Sequence, residues 1–465
     1  MALLSATLTT YNPLPYNPGF SIKNVLSLAQ SLPRYSWEFG TSAEAQLELF
    51  TPQFSVFGSN PFPIPSLPAA RVVALNYASS KVDFGTGYAA LSAGTGAAGD
   101  PSSLGVSAVM LGKLDGDYTA AAQETVDALL TQIPRWSNGA ISHRPDVAEL
   151  WADFMYMVPP FLAYYGADTQ NASILLQSYT QCQLYRQVLQ PSGGGAWMHI
   201  IGPQNQDTGL WSTGNGWAAA GMTRVLATFL KSPFAQQLNG SAQAQAVEGL
   251  TGYIKEILDG AMSSPVSFGL LRNYLNDTSG DGQAFPEISG STLLASVVYR
   301  MAVLRPDVFS SSNSSSSSNS SSSSNSSSSS NSSSSPNSTY ISWADNIRAV
   351  LGAYDASGNP HITKTGIATP AVNPLNWHDT TPYTKGSPEG QNFVVLMYAA
   401  WRDCVYAEVC RNPLAASGSG GTTTTGSATA GAATTTKTGN SRRRAKKRMH
   451  GGLRRALDIF GKISG

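Results

Sequence analysis

One aspartate stands out in this sequence because apolar and aromatic residues surround it. Asp153 lies in the run ELWADFMYMVPPFL at 149–162. Read as a helix, the run places its apolar side chains on one stripe, with Asp153 beside the stripe and close to the helix start. An aspartate among apolar residues is either a helix cap or a catalytic acid. Apolar neighbours disfavour the ionised carboxylate, so we expect a raised pKa, as a general acid requires.

The overall composition limits the classes of protein to which the chain can belong. It has 465 residues, of which 42% are hydrophobic and 12% are charged, and its formal net charge is +1. The length allows one large domain or two ordinary ones. The charged fraction is about half of that in a typical soluble domain, and the balance does not favour a nucleic acid partner. The polar surface must consist largely of Ser, Thr, Asn and Gly, which is more usual in secreted than in cytosolic proteins.

Cysteines and histidines indicate neither a disulfide scaffold nor a metal site. Cys182, Cys404 and Cys410 form no C-x-x-C pair, and the five histidines show no H-E-x-x-H spacing. We therefore expect no metal ion and no cofactor.

Signals for cellular location point in two directions. No apolar run reaches the ~18 residues of a membrane span, and the first residues lack the basic and long apolar regions of a signal peptide. Glycosylation acceptors at Asn171, Asn239 and Asn276 favour the secretory route. We expect an extracellular, monomeric glycoprotein without a membrane span. The missing signal peptide then implies that the N-terminus is trimmed or that its start is wrongly assigned.

Helical periodicity dominates the chain between about residues 37 and 410. The segments with helical spacing lie at about 41–50, 66–79, 102–113, 117–133, 147–165, 171–190, 214–231, 242–262, 286–304, 341–354 and 388–408. Such antiparallel helix pairs pack either as a solenoid or as a closed ring of hairpins, and the irregular period argues against a repeat array. Closure gathers the connecting loops at the rims. The loops at 191–217 and 373–392, rich in Trp, Asn and Gly, could bind a sugar there.

Composition divides the chain into three parts. We expect a leader at 1–36, a helical domain at 37–411 interrupted by a disordered Ser/Asn insertion at 310–338, and a disordered tail at 412–465. The tail contains a basic run at 442–448, which is either a solvated or processed end or a patch for nuclear import, nucleic acid or anionic lipid. No fold typical of nucleic-acid binding accompanies it, so we do not expect the tail to define the function.

Two motifs in a fixed order resemble a known family. Trp151-Ala152-Asp153 is followed by Trp211 and then by Gly214-Asn215-Gly216-Trp217, as in the unsaturated rhamnogalacturonyl hydrolases of glycoside hydrolase family 105, relatives of the unsaturated glucuronyl hydrolases of family 88. The resemblance extends over roughly 37–408 and includes the segments around Trp37, 139–144, 286–291 and 387–391. It implies an all-α fold, an (α/α)6 toroid of six helical hairpins.

The resemblance also implies a reaction. Family members act on oligosaccharides whose terminal uronyl sugar carries a C4=C5 double bond left by a pectin lyase. They protonate this vinyl ether and add water at C5, after which the glycosidic link falls apart through a hemiketal. On this basis we expect a glycosidase with an oligosaccharide substrate, and the alternative is an inactive carbohydrate-binding toroid.

Candidate site residues follow from the match of positions. The resemblance makes Asp153 the general acid and Asp100 its partner, although the start Asp100-Pro-Ser-Ser is also a good helix cap. The residues that the resemblance assigns to substrate binding are His143, His199, Trp211, Asn215, Trp217, Trp37 and Arg144. Trp211 and Trp217 could stack on sugar rings, and the alternative for Trp217 is core packing.

One departure from the family pattern concerns substrate recognition. The family usually has Arg before Gly-Asn-Gly-Trp, whereas this chain has Thr213. The guanidinium that could hold the uronate carboxylate would then be missing. Either Arg144 supplies this charge from another loop, or the recognised sugar differs, or activity is lost.

Overall fold

The computed structural model of the protein describes residues 11–277, 282–310 and 338–414. Apart from its two end residues, the predicted Ser/Asn insertion at 310–338 lies outside the described residues, as does the predicted tail after residue 414.

The described residues are mostly helical. Their α-helices are α1 (Ile22–Ser31), α2 (Ser36–Phe50), α3 (Val73–Ser79), α4 (Gly105–Leu111), α5 (Gly116–Thr131), α6 (Phe154–Asp168), α7 (Ala172–Leu189), α8 (Ser212–Lys231), α9 (Ala242–Ser263), α10 (Ile288–Leu304), α11 (Pro306–Phe309), α12 (Thr339–Leu351) and α13 (Pro388–Tyr406). A 3-10 turn, Asp100–Leu104, leads into α4. Two short antiparallel pairs join β1 (Leu150–Trp151) to β2 (Ile200–Ile201) and β3 (Val266–Ser267) to β4 (Leu270–Leu271).

The long helices form two concentric rings. The inner ring consists of α2, α4 with its 3-10 turn, α6, α8, α10 and α13, each packed against the next, and α13 packs against α2 to close the ring. An outer helix packs against each inner helix: α3 against α2, α5 against α4, α7 against α6, α9 against α8, α12 against α10 and α1 against α13. Inner and outer helices alternate along the chain. The predicted (α/α)6 toroid is therefore confirmed.

Burial separates the two rings as the sequence pattern requires. Along α5, an outer helix, the buried side chains follow a single stripe that includes Ala122, Val126 and Leu129. The inner helix α6 is instead buried on almost all sides, because it packs between α4 and α8 and beneath α7. The N-cap of α5 is Asp115, whose side chain accepts from the backbone N–H of Asp117, the residue where the sequence placed the helix start.

The predicted helix at 147–165 begins later than expected. Residues 150 and 151 are extended and pair with 200 and 201, and the N–H of Ala152 donates to the carbonyl of His199 at 2.9 Å. These cross-links use the backbone groups that a helix would need, so α6 starts only at Phe154. Trp151 therefore does not lie on the helical stripe that the sequence predicted.

The segment at 1–36 was expected to precede the domain as a leader. In the structure, its described part contains α1, which buries Ile22, Val25 and Ala29 and packs against α13. This helix completes the outer ring, so residues 22–31 contribute to the core of the toroid.

Close packing of α6 against α8 depends on a glycine. Pro159 lies inside α6 and has no N–H, so the carbonyl of Met155 loses its partner in the next turn. A Cβ built on Gly221 of α8 would lie 1.9 Å from this carbonyl oxygen. Gly221 thus lets α8 approach the point where α6 has an unpaired backbone group.

Substituting this glycine tests the contact between the inner helices. Gly221→Ala should lower the free energy of unfolding by about 1–3 kcal/mol, because the added methyl group overpacks the interface. Gly252→Ala in the outer helix α9 is the matched control, since a Cβ there meets nothing within 4 Å. The control should raise stability by roughly 0.5–1 kcal/mol. Chemical denaturation measures both; equal effects would contradict this packing.

Candidate active site

Connecting segments bring polar side chains to one end of the inner ring. The segments that lead into the inner helices are long, spanning 80–99, 132–153, 190–211, 264–287 and 352–387. A cavity of about 390 Å³ lies at the end of the inner ring where these segments join the helices. Its lining consists of Tyr35, Trp37, Thr95, Ala97, Asp100, His143, Arg144, Trp151, Asp153, Met157, Pro374, Leu375, Trp377 and Glu389. Every lining residue that carries a carboxyl group, a guanidinium or an indole lies at the start of an inner helix or in the segment before one.

Asp153 occupies the N-cap position of α6 but does not act as a cap. Its side chain accepts no hydrogen bond from the helix. Instead, its Oδ2 lies 3.2 Å from Nε2 of His199, and 18% of the side chain is accessible from the cavity. Because Oδ2 itself is buried, the accessible part includes Oδ1. The carboxyl group is therefore fixed on one side and free to meet a ligand on the other.

His199 connects Asp153 to a second carboxylate. Its Nδ1 lies 3.0 Å from Oδ2 of Asp207, which also accepts from the hydroxyl of Tyr274 at 2.6 Å. Burial alone would lower the pKa of His199, but the hydrogen bonds and charges of Asp153 and Asp207 outweigh it and raise this pKa. The contacts of its two ring nitrogens hold the imidazole in one orientation between Asp153 and Asp207.

Asp100 is the second carboxyl group of the cavity. It opens the 3-10 turn before α4, where the N-cap residue is Gly99, so the alternative role of Asp100 as the cap does not apply. Its Oδ1 lies 3.7 Å from Nε2 of His143. Burial, and then the nearby charge of Asp153, raise the pKa of Asp100 well above its usual range. Burial lowers the pKa of His143 to about 4. The cavity thus favours the protonated form of Asp100 and the uncharged form of His143.

Aromatic rings form much of the cavity wall. Tyr35 and Trp37 stack with centroids 4.7 Å apart, and Trp151 stacks on His143 at 5.0 Å. Trp377 meets Trp151 edge-on at 5.1 Å. Flat apolar surfaces of this kind can pack against the C–H faces of a pyranose ring.

Arg144 places a positive charge in this cavity. Its guanidinium packs against Gly96, where a Cβ would lie 3.5 Å from Nη2. Nε lies 3.6 Å from a carboxylate oxygen of Asp146, whose side chain is exposed at the rim. The buried Nε makes no hydrogen bond within the described residues. This cation can therefore reach an anionic group in the cavity.

Three predicted substrate-binding residues are buried away from the cavity. The Trp211 ring is 2% exposed, packs against His199 at 4.4 Å and donates from Nε1 to Asn273 at 2.9 Å. Asn215 is fully buried, accepts from the N–H of Trp197 at 2.7 Å and donates to backbone carbonyls. The Trp217 ring packs between aromatic side chains in the core. None of the three side chains lines the cavity, and Trp217 packs in the core, which is the alternative considered for it.

The other predicted residues lie at the cavity. Asp100, Asp153, His143, Arg144 and Trp37 all line it, whereas His199 is 1% exposed and reaches it only through Asp153. Sequence reasoning missed further residues, namely Asp207, Tyr274, Glu389, Tyr35, Trp151 and Trp377. Glu389 lies in the segment 387–391 that carried part of the resemblance, and Trp151 in the motif itself; no spacing in the sequence pointed to Asp207.

The structure gives Thr213 a role different from that of a substrate clamp. Its side chain is fully buried, and its hydroxyl donates to Oε2 of Glu287 at 3.1 Å. Glu287 is the N-cap residue of α10 and also accepts from the N–H groups of Ser289 and Gly290. Thr213 thus joins α8 to α10 below the cavity.

Among the described residues, no group of three or more His, Cys, Asp and Glu side chains could hold a metal ion.

Comparison with known proteins agrees with this geometry. The sequence model of Glycosyl Hydrolase Family 88 matches residues 108–258. The unsaturated rhamnogalacturonyl hydrolase YesR of Bacillus subtilis is 28% identical over 135 residues, which are 27% of this chain and 39% of that protein. Residues 108–258 are thus similar in sequence to glycoside hydrolase family 88. The part matched to family 88 contains His143, Asp153 and His199, whereas Asp100 and Glu389 lie outside it.

Solved structures share the fold over most of the chain. A protein from Klebsiella pneumoniae, described as a possible member of glycoside hydrolase family 105, has a TM-score of 0.56 at 12% identity and covers 82% of this chain and 91% of its own. A similarly described protein from Salmonella enterica has a TM-score of 0.57 at 11% identity, with 84% and 97% covered. At this identity the likeness shows the toroid alone.

The raised pKa of Asp100 predicts a pH-dependent stability difference. Between its unfolded and folded pKa, the folded state binds the extra proton, so ionising Asp100 destabilises the protein as the pH rises. Asp100→Asn cannot titrate. Its melting temperature relative to that of the native protein should therefore be higher at about pH 8 than at about pH 5. Thermal unfolding at both values measures this, with exposed Asp117→Asn as control; an equal difference at both values would contradict burial of a protonated Asp100.

Proposed function

We propose that the protein is a glycoside hydrolase of unsaturated uronyl oligosaccharides of the rhamnogalacturonan type. The observation that carries the proposal is the pair Asp153 and Asp100, which face one aromatic-lined cavity at the rim of the toroid. Two carboxyl groups in one site share protons unequally, which suits general acid and base chemistry. The partial match to the unsaturated rhamnogalacturonyl hydrolase supports the substrate class.

The arrangement can supply each proton that the reaction moves. A carboxyl proton of the Asp153–Asp100 pair passes to C4 of the double bond, and positive charge develops at C5 and the ring oxygen. Water then adds at C5 and returns a proton to the carboxylate, so the acid is regenerated. The resulting hemiketal opens and releases the rest of the oligosaccharide. Asp153 is the group placed to transfer the proton, because its carboxyl is the more accessible of the two.

Arg144 is the residue that we assign to the substrate carboxylate. An unsaturated uronyl sugar carries this carboxylate at C5, next to the reacting double bond. Arg144 has a buried guanidinium nitrogen without a hydrogen-bond partner in the described residues, and it lines the same cavity as Asp153. A guanidinium binds a carboxylate with two parallel hydrogen bonds. This cation takes the role that the family pattern gives to the residue at position 213.

We further propose that the protein acts outside the cell in pectin degradation. The three glycosylation acceptors Asn171, Asn239 and Asn276 are exposed, as attachment of a glycan requires. Cys404 and Cys410 form a disulfide at the end of α13, and disulfides persist mainly in oxidising compartments. No helix among the described residues has the length and apolar character needed to cross a bilayer. A monomeric state remains a prediction.

Turnover by an Asp153 variant tests the proposed reaction. The native protein should abolish the ultraviolet absorbance of the double bond in a lyase digest of rhamnogalacturonan. Asp153→Asn preserves the shape but removes the proton donor, so kcat should fall by at least about a hundredfold. Asp117→Asn, on the exposed surface of α5, should leave kcat unchanged.

The same assay separates the enzyme from an inactive carbohydrate-binding toroid. Binding of the digest without any loss of absorbance by the native protein would favour the binding protein. Full turnover by Asp153→Asn would remove this residue from the acid role. A parallel digest of unsaturated glucuronan identifies which uronyl substrate is preferred.

Loss of the Arg144 guanidinium should mainly weaken substrate binding. A hydrogen bond to a charged group contributes about 1.5–3 kcal/mol, so Arg144→Met should raise KM roughly ten- to a hundredfold. Arg144→Lys should recover part of this loss because it keeps the charge but not the planar fork. Exposed Arg71→Met serves as the control. An unchanged KM in Arg144→Met would exclude Arg144 as the carboxylate partner.

A further inference from the structure

A third carboxyl group, that of Glu389, lines the cavity beside the catalytic pair. Glu389 is the second residue of α13 and is 3% exposed. Its Oε1 accepts from the indole N–H of Trp37 at 3.1 Å. Its Oε2 is buried and has no hydrogen-bond partner in the described part of the chain. One oxygen is thus held in place, while the other remains available to a molecule in the cavity.

The surroundings of Glu389 determine its protonation. Burial, followed by the charges of Asp153 and Glu38, raises the pKa of Glu389 well above its usual range. These surroundings favour the neutral acid over the carboxylate. In the neutral form, Oε1 accepts from Trp37 and the proton is on Oε2, so this atom is a hydrogen-bond donor.

Glu389 differs from Glu287, a buried acid at the start of another inner helix that has a structural role. Glu287 begins α10 and is also fully buried, but both of its oxygens accept from backbone N–H groups, including that of Val372. In α13 the cap is provided by Ser387, whose Oγ accepts from the N–H of Gly390. Glu389 is not needed to cap its helix. An unsatisfied buried carboxyl oxygen is costly, so its retention at the cavity wall indicates a ligand.

We propose that Glu389 binds the substrate by donating a hydrogen bond from Oε2 to an oxygen of the unsaturated uronyl sugar. This inference rests on the proposed function, since it places that sugar beside Asp153. The Tyr35–Trp37 stack supports the same wall of the cavity, because Trp37 both offers an aromatic face and holds Oε1 of Glu389. Glu389 orients the sugar and transfers no proton in the reaction.

Two substitutions distinguish this hydrogen bond from a packing role. Glu389→Gln keeps an acceptor for Trp37 and an N–H donor for the sugar, whereas Glu389→Met fills the space without either. Both are made in the Asp153→Asn background, where binding is measured without turnover by calorimetry with an unsaturated rhamnogalacturonan disaccharide. Glu389→Met should weaken binding at least about tenfold, and Glu389→Gln by less than about threefold. Glu408→Met, just beyond the other end of α13, is the control.

The possible outcomes separate this inference from the proposed function. Equal affinities of the Met and Gln variants, both close to that of the parent, would overturn the role of Glu389. Binding that depends on Glu389, without turnover by the native protein, would contradict hydrolysis alone. Absence of binding by a native protein that also shows no turnover would contradict both. Should Asp153→Asn itself abolish binding while the native protein is active, the KM of the single Glu389 variants decides, with kcat expected to change less than KM.

Discussion

Closure of the inner ring depends on a buried set of charges. Arg224 of α8 contacts Glu44 at 2.5 Å and also bonds Glu48, both on α2. Arg300 of α10 bonds Glu48 and, on α13, Asp403, each at 2.7 Å. Burying such groups is costly, and removal of one partner strands a charge at about 3–5 kcal/mol. The ion pairs join α2, α8, α10 and α13, so the network favours the arrangement in which these four helices meet.

This constraint has a consequence at the other end of the same helices. With the inner ring fixed, the long segments that precede its helices must converge, and the carboxyl groups at or near the helix starts converge with them. Asp100, Asp153 and Glu389 thereby share one cavity. Burial and the charge of Asp153 raise the pKa of Asp100 and of Glu389, and the imidazole of His199 lies 3.2 Å from Asp153. The convergence of these acids therefore favours the protonated forms of Asp100 and Glu389.

More of the fold than of the candidate site could be predicted from the sequence. Helical periodicity located most helices, because a repeat of apolar residues directly reports a buried stripe. It could not show that residues 150–151 pair with 200–201, since that depends on a contact between distant segments. At the site, the apolar neighbours of Asp153 pointed to a residue that does line the cavity. Trp217 and Asn215 belong to the same motif but pack inside the ring. This could not be predicted, because composition does not reveal whether a side chain faces the cavity or a neighbouring helix.

The charge balance of the cavity is also compatible with the acidic sugar that we propose as the substrate. The surroundings favour the protonated forms of Asp100 and Glu389 and the uncharged form of His143, and in these forms Arg144 balances the charge of an ionised Asp153. If those two acids were ionised as well, the lining would carry an excess of two negative charges and repel a uronate. Position 213 does not need to contribute a cation, because Thr213 is buried and paired with Glu287. Desolvation of the acids, rather than additional basic side chains, therefore lowers the negative charge of the cavity lining.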